Sequence, residues 1–81
     1  MLMTEEIIAT KVKNFIEDVS GERPTLEQNF RGDLKMDSLD KVEAIMLVEK
    51  EFSIDIEDDE FDDLQTVNQL VDIVNKKVNE R

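Results

Sequence analysis

Apolar residues recur along most of this chain at the spacing of one helix face. Ile8, Val12, Phe15, Ile16 and Val19 follow one another at steps of four, three, one and three, which predicts a first amphipathic helix. Thr4 followed by Glu5 and Glu6 marks its start, with negative charge at the positive end of the helix dipole, and Ser20-Gly21 stops it. A second periodic run opens at Asp37-Ser38-Leu39-Asp40 and continues to Phe52, with Leu39, Val42, Ile45, Met46 and Val48 or Glu49 at helical spacing. Asp37 is a favourable N-cap type, Asp40 adds a second negative charge near the positive helix end, and Ser38 falls in the first turn, pointing outward. Between Gly21 and Met36 the periodicity fails. There Arg23 is held extended by Pro24, residues 25–28 can nucleate one turn, and Phe30 and Leu34 are the anchors expected to fold a long loop back over the bundle. Ser53-Ile54-Asp55-Ile56 leaves the second helix, and the acidic run from Glu57 to Asp63 fits a short third one with Phe61 and Leu64 inward. Thr66-Val67-Asn68-Gln69 reads as a capping box opening a fourth helix, along which Val67, Leu70, Val71, Val74 and Val78 form the apolar face. Lys76, Lys77 and Arg81 suit its C-terminal end. The expectation is an all-α, small four-helix bundle of three longer helices and one short one, in a single domain over residues 1–81.

Charge sharpens this picture. The formal net charge is −11, and 12 of the 21 acidic residues lie between positions 37 and 63, accompanied there only by Lys41 and Lys50. A field of that sign repels nucleic acid and anionic membranes and steers basic protein partners in. Any one of these carboxylates is as readily a solvated surface group. As a cluster beside Ser38 they favour a docking surface. With no Cys and no His there is no disulfide framework, no thiolate or imidazole metal site, and no Cys-His or Ser-His-Asp catalytic arrangement. Asp55, Glu57 and Asp59 alternate as calcium ligands do, but Glu60 stands where a calcium loop needs Gly, so the run offers loose divalent-ion binding and no specific metal site. The opening residues lack a basic, then apolar, leader pattern and no apolar run has membrane-spanning length. The expected location is therefore the cytoplasm, with the mitochondrial matrix or a plastid as alternatives after transit-peptide removal.

Candidate chemistry concentrates at Ser38. A phosphate esterified to its hydroxyl would lie beside free backbone N–H groups at the positive end of a helix dipole, although the neighbouring carboxylates oppose this. Asp-Ser-Leu also starts many ordinary helices, because Asp and Ser are common at helix N-termini. The longer pattern is more specific: Asp37-Ser38-Leu39-Asp40, Val42-Glu43, Met46 and Glu49-Lys50-Glu51-Phe52 resemble the carrier signature of the acyl carrier proteins of fatty acid synthesis. The resemblance runs from about Phe30 to Val74.

It implies a non-enzymatic carrier with a covalent 4'-phosphopantetheine arm on Ser38, whose thiol holds acyl intermediates of fatty acid biosynthesis as thioesters. It also implies a phosphopantetheinyl transferase (holo-acyl carrier protein synthase) and the enzymes of fatty acid synthesis as partners. These would meet, through basic patches, an acidic face for which Asp37, Asp40, Glu43 and Glu49 are the candidates by position; Lys41 departs from the acidic trend of that face, as a bias on partner choice or as a simple i, i+3 or i, i+4 neighbour of acids such as Asp37. An acyl-chain cavity between helices would draw on Val42, Met46, Ile56, Phe61 and Leu64, each of which, taken alone, reads more readily as an ordinary core residue. The protein is expected to be a monomer. The chain departs from the family pattern at Lys35, where Gly is frequent, at Met36 and Phe61, where small residues are frequent, and at Glu57, where Pro is frequent. The Leu-Lys-Met-Asp-Ser-Leu segment looks most like mitochondrial-type carriers. A peptidyl, D-alanyl or polyketide carrier shares the same serine-and-arm design, and an unmodified acidic protein-binding adaptor is the alternative from another class.

Overall fold

A computed structural model describes residues 4–80; Met1, Leu2, Met3 and the expected helix-end charge of Arg81 lie outside that range. Four helices follow in chain order: α1 (Glu5–Ser20), α2 (Ser38–Phe52), α3 (Asp58–Asp63) and α4 (Val67–Asn79). No strand forms among the described residues, and the chain is an all-α, small four-helix bundle.

The ends of these helices follow from local chemistry. Thr4 caps α1 by accepting from the Ile7 N–H, and Gly21 ends it at φ 83°, a left-handed conformation that costs glycine little. Thr66 and Gln69 close a reciprocal box at α4: the Thr66 hydroxyl accepts from the Gln69 N–H at 3.2 Å, and the Gln69 side chain accepts from the Thr66 N–H at 3.0 Å. Helix α2 stops at Ser53, in the left-handed region at φ 54°, where Ile54 N–H returns to the Glu49 carbonyl and the Ile54 side chain enters the core.

Helix α1 packs against both α2 and α4. Its Ile8, Val12 and Ile16 are wholly removed from solvent, as are Val48 of α2 and Val67, Leu70 and Val74 of α4. Each such side chain contributes about 1.5–3 kcal/mol through burial. Phe15 and Val19, on the edge of the α1 stripe, are only partly covered. The first long loop is held inward by Phe30, Leu34 and Met36. Its backbone is also clasped to the start of α4. Phe30 N–H donates to the Gln65 carbonyl, while Val67 N–H and Asn68 N–H donate to the carbonyls of Gln28 and Leu26, all at 2.9–3.0 Å. Asn29 and Thr66 form an isolated antiparallel bridge within that clasp.

Helix α2 differs from its expected stripe. The buried face is Ala44, Ile45, Val48 and Phe52, whereas Leu39 and Met46 are 78% and 60% exposed and Val42 is exposed as well. The helix carries two neighbouring apolar stripes, and the one turned toward α1 is buried while the other stays largely exposed. Helix α3 buries no residue of its own. Phe61 is half-covered, and Leu64, the residue that terminates the helix, goes inward.

Candidate functional site

The start of α2 is built by a reciprocal cap. The Asp37 side chain accepts from the Asp40 N–H at 2.9 Å, and the Asp40 side chain accepts from the Asp37 N–H at 3.3 Å. Met36 sets the approach: its N–H donates to the Phe30 carbonyl at 2.8 Å and its side chain is buried, while Lys35 before it takes φ 56°. That left-handed turn favours glycine, which gives a physical reason for the Gly expected at this position. The turn delivers Ser38 as the first residue of a 15-residue helix, exposed and with no side-chain hydrogen bond tying its hydroxyl to the described residues. The Ser38 and Leu39 N–H groups precede the first intrahelical bond, from Lys41 N–H to the Asp37 carbonyl. They are thus the unpaired donors of the helix start.

Ser38 stands at the edge of an open pocket of about 610 Å³, lined among others by Phe30, Arg31, Met36, Lys41, Phe61 and Leu64. A smaller pocket of about 210 Å³ lies farther along the groove between α2 and α3, lined by Val42, Ile45, Met46, Glu49, Ile56, Asp58 and Phe61. Four of the five residues considered for an acyl cavity therefore meet around the second space. Leu64 lines the first, and Phe61 lines both. Val42 and Met46 line the second space while remaining exposed, and are not core.

Lys41 is committed within the molecule. Its ammonium donates to the Phe61 carbonyl at 2.7 Å and sits 4.4 Å from the centre of the Phe61 ring. Burial holds its pKa below the ordinary lysine value, and the Asp62 carboxylate partly offsets this. Glu49 is also turned inward, accepting from the Ile56 N–H at 2.8 Å and so holding the segment between α2 and α3. Of the acidic positions singled out on α2, Asp37 and Glu43 are exposed, and Asp40 is half-covered in the cap. Helix α3 is tied from its other side by the Lys77–Glu60 ion pair at 3.0 Å. Glu60 is held below the ordinary glutamate range, first by the backbone N–H of Glu57 and then by Lys77. No group of acidic side chains among the described residues is arranged to hold a metal ion.

Comparison with known proteins decides the family. A family model described as a phosphopantetheine attachment site matches residues 10–74. An acyl carrier protein of Thermosynechococcus vestitus is 42% identical over 79 residues, covering 94% of this chain and 98% of the relative. The chain belongs to the acyl carrier protein family. A further acyl carrier protein, from Picosynechococcus sp., is 44% identical over 78 residues, covering 93% of this chain and 95% of the relative. "Acyl carrier protein 2, mitochondrial" of Arabidopsis thaliana is 39% identical over 72 residues, covering 89% of this chain and 56% of the relative. Acyl carrier proteins are non-catalytic carriers, and this chain is a carrier and not an enzyme.

The residues at the start of α2 fit the group named in the family description. An exposed, uncommitted hydroxyl, unpaired first-turn N–H donors and an open pocket reaching Ser38 occur together there. Sequence reasoning missed the Lys41–Phe61 bridge and the inward role of Glu49. The signals for the bridge were a lysine on an acidic face and a phenylalanine in an acidic run, and nothing in the sequence set Glu49 apart from its neighbours.

Proposed function

We propose that Ser38 is the point of attachment of a 4'-phosphopantetheine arm, through which this chain carries acyl intermediates of fatty acid biosynthesis. When bound, that group supplies the thiol this cysteine-free chain lacks, and so a thioester linkage. The observation that carries the reading is the placement of Ser38: an accessible alcohol on the first residue of a long helix, with no side-chain hydrogen bond among the described residues and beside an open pocket. First-turn N–H groups and the helix dipole favour a phosphodiester there.

The partner face follows from the same helix. Asp37 and Glu43 present charge beside the exposed Leu39, Val42 and Met46, a combination suited to basic enzymes that also make apolar contact. The phosphopantetheinyl transferase and the enzymes of fatty acid synthesis are the partners proposed for it. Lys41 and Glu49 contribute less to docking than their positions on α2 imply, because both are bonded within the molecule.

Incubation with a phosphopantetheinyl transferase and coenzyme A tests the assignment. Intact mass is expected to show one arm added to the wild type and none to Ser38→Ala. Equal labelling of the two proteins, or labelling of neither, overturns it.

A further inference from the structure

The groove between α2 and α3 is divided. The pocket that reaches Ser38 and the pocket lined by Val42, Met46 and Ile56 are separate spaces that share Phe61 as a wall. On the α2 side, Ser38 and Lys41 line the first space and Val42, Ile45 and Met46 line the second, so the division falls where Lys41 crosses from α2 to α3. What crosses there is a double tie on one residue: the Lys41 ammonium bonds the Phe61 carbonyl and faces the Phe61 ring. The bond ties the backbone of α3 at that point, and the ring contact favours the orientation in which the ring stands between the two spaces it lines. Helix α3 has no buried residue to hold it. Its position therefore rests on Leu64 at its end, on the half-covered Phe61 and Ile56 packed against the core, and on polar ties: Lys41 from α2, Glu49 through the Ile56 N–H, and Lys77 from α4 through Glu60.

We infer that the Lys41–Phe61 bridge is a chain-length determinant, which confines a carried acyl group to the space beside Ser38 and bars a longer one from the space lined by Val42, Met46 and Ile56. The inference rests on the carrier reading above and concerns what this chain does with its cargo. The first space, with Phe30, Met36 and Leu64 on its wall, shelters the carbons nearest the thioester. Carbons beyond Phe61 stay in solvent while the bridge is closed. In its absence the two spaces join, and further methylenes gain the burial that Ile45, Ile56 and Met46 provide.

The test compares wild type, Phe61→Ala and Lys41→Met, each modified on Ser38 and loaded with butyryl, octanoyl or dodecanoyl groups. Intact mass first establishes the single acylated arm on each. If the wild type takes no arm, the carrier reading fails and the bridge is not at issue. With loading established, two measurements follow: the rate of thioester cleavage by hydroxylamine, and the methyl resonances of Met46 and Ile56.

In the wild type, protection is expected to reach its limit with a short chain, equal for octanoyl and dodecanoyl, with the Met46 and Ile56 methyls unmoved by either. In Phe61→Ala, cleavage of the dodecanoyl thioester is expected to slow on the order of tenfold, the worth of about two more buried methylenes, and both methyl signals to shift. Lys41→Met, which keeps the ring and removes its tie, is expected to move the same signals in the same direction. This second variant keeps the test sound if Phe61→Ala folds poorly. A wild type whose Met46 and Ile56 methyls respond to dodecanoyl overturns the inference, as does a Lys41→Met protein with the wild-type profile.

Discussion

The cap at Asp37 performs a structural task at the position where a docking charge is also expected, and two substitutions separate the tasks. Asp37→Ala removes the acceptor of the Asp40 N–H, a 2.9 Å bond, and leaves intact the return bond from the Asp37 N–H to Asp40. Loss of an N-cap acceptor costs about 1 kcal/mol, within a range of about 0.5–2. Asp37 is exposed, so water replaces part of the lost bond and the central value applies. For a chain of this size 1 kcal/mol corresponds to about 4–8 °C in Tm.

Asp37→Asn keeps the acceptor and removes the charge. It forfeits about 0.3–1 kcal/mol of dipole interaction, but it also relieves repulsion from Asp40 in a chain of net charge −11. The two effects oppose, and the Asn variant is expected within about 0.5 kcal/mol of wild type. Thermal and urea unfolding followed by far-ultraviolet circular dichroism measure both, with an unchanged urea slope showing that the unfolded state is not altered. In transferase assays at low salt, both variants are expected to associate more slowly, because both lack the charge. Equal destabilisation of Ala and Asn would refute the reasoning, since charge and not the acceptor would then hold the helix start.

Two further outcomes follow. Ile45→Ala is expected to cost about 2–4 kcal/mol because Ile45 is buried, whereas Met46→Ala, one residue along, is expected within about 0.5 kcal/mol of wild type because Met46 is largely exposed; comparable losses in urea unfolding would contradict the assignment of Ile45, and not Met46, to the buried face of α2. Glu60, with its folded pKa depressed, contributes stability that is present above the ordinary glutamate range and is lost as pH falls through the folded value. Its carboxylate resonance is expected to titrate at lower pH than that of an ordinary glutamate. Lys77→Met is expected to move that titration upward, and an unmoved midpoint would remove Lys77 as a cause.

Local chemistry carries far in this chain. Every helix terminus named from the sequence involves partners within four residues: Thr4 with Ile7, Asp37 with Asp40, Thr66 with Gln69, and the glycine that ends α1. Such bonds depend on residue type and spacing alone, so the four helices and the place of Ser38 at the head of the second could be written down before any packing was known. Which of two apolar stripes on α2 is buried could not, because periodicity ranks both alike and only contact with α1 separates them.

The clasp of the first loop onto α4 joins backbone groups that are featureless in sequence. Lys41 and Phe61 lie 20 positions apart, and Lys11 and Glu51 lie 40 apart at 2.7 Å, distances over which no local rule pairs one lysine with one partner. The sequence by itself therefore determined the helices, their caps and the exposed alcohol. The tertiary structure alone decided which side chains those helices turn toward one another, because that choice depends on surfaces brought together from distant parts of the chain.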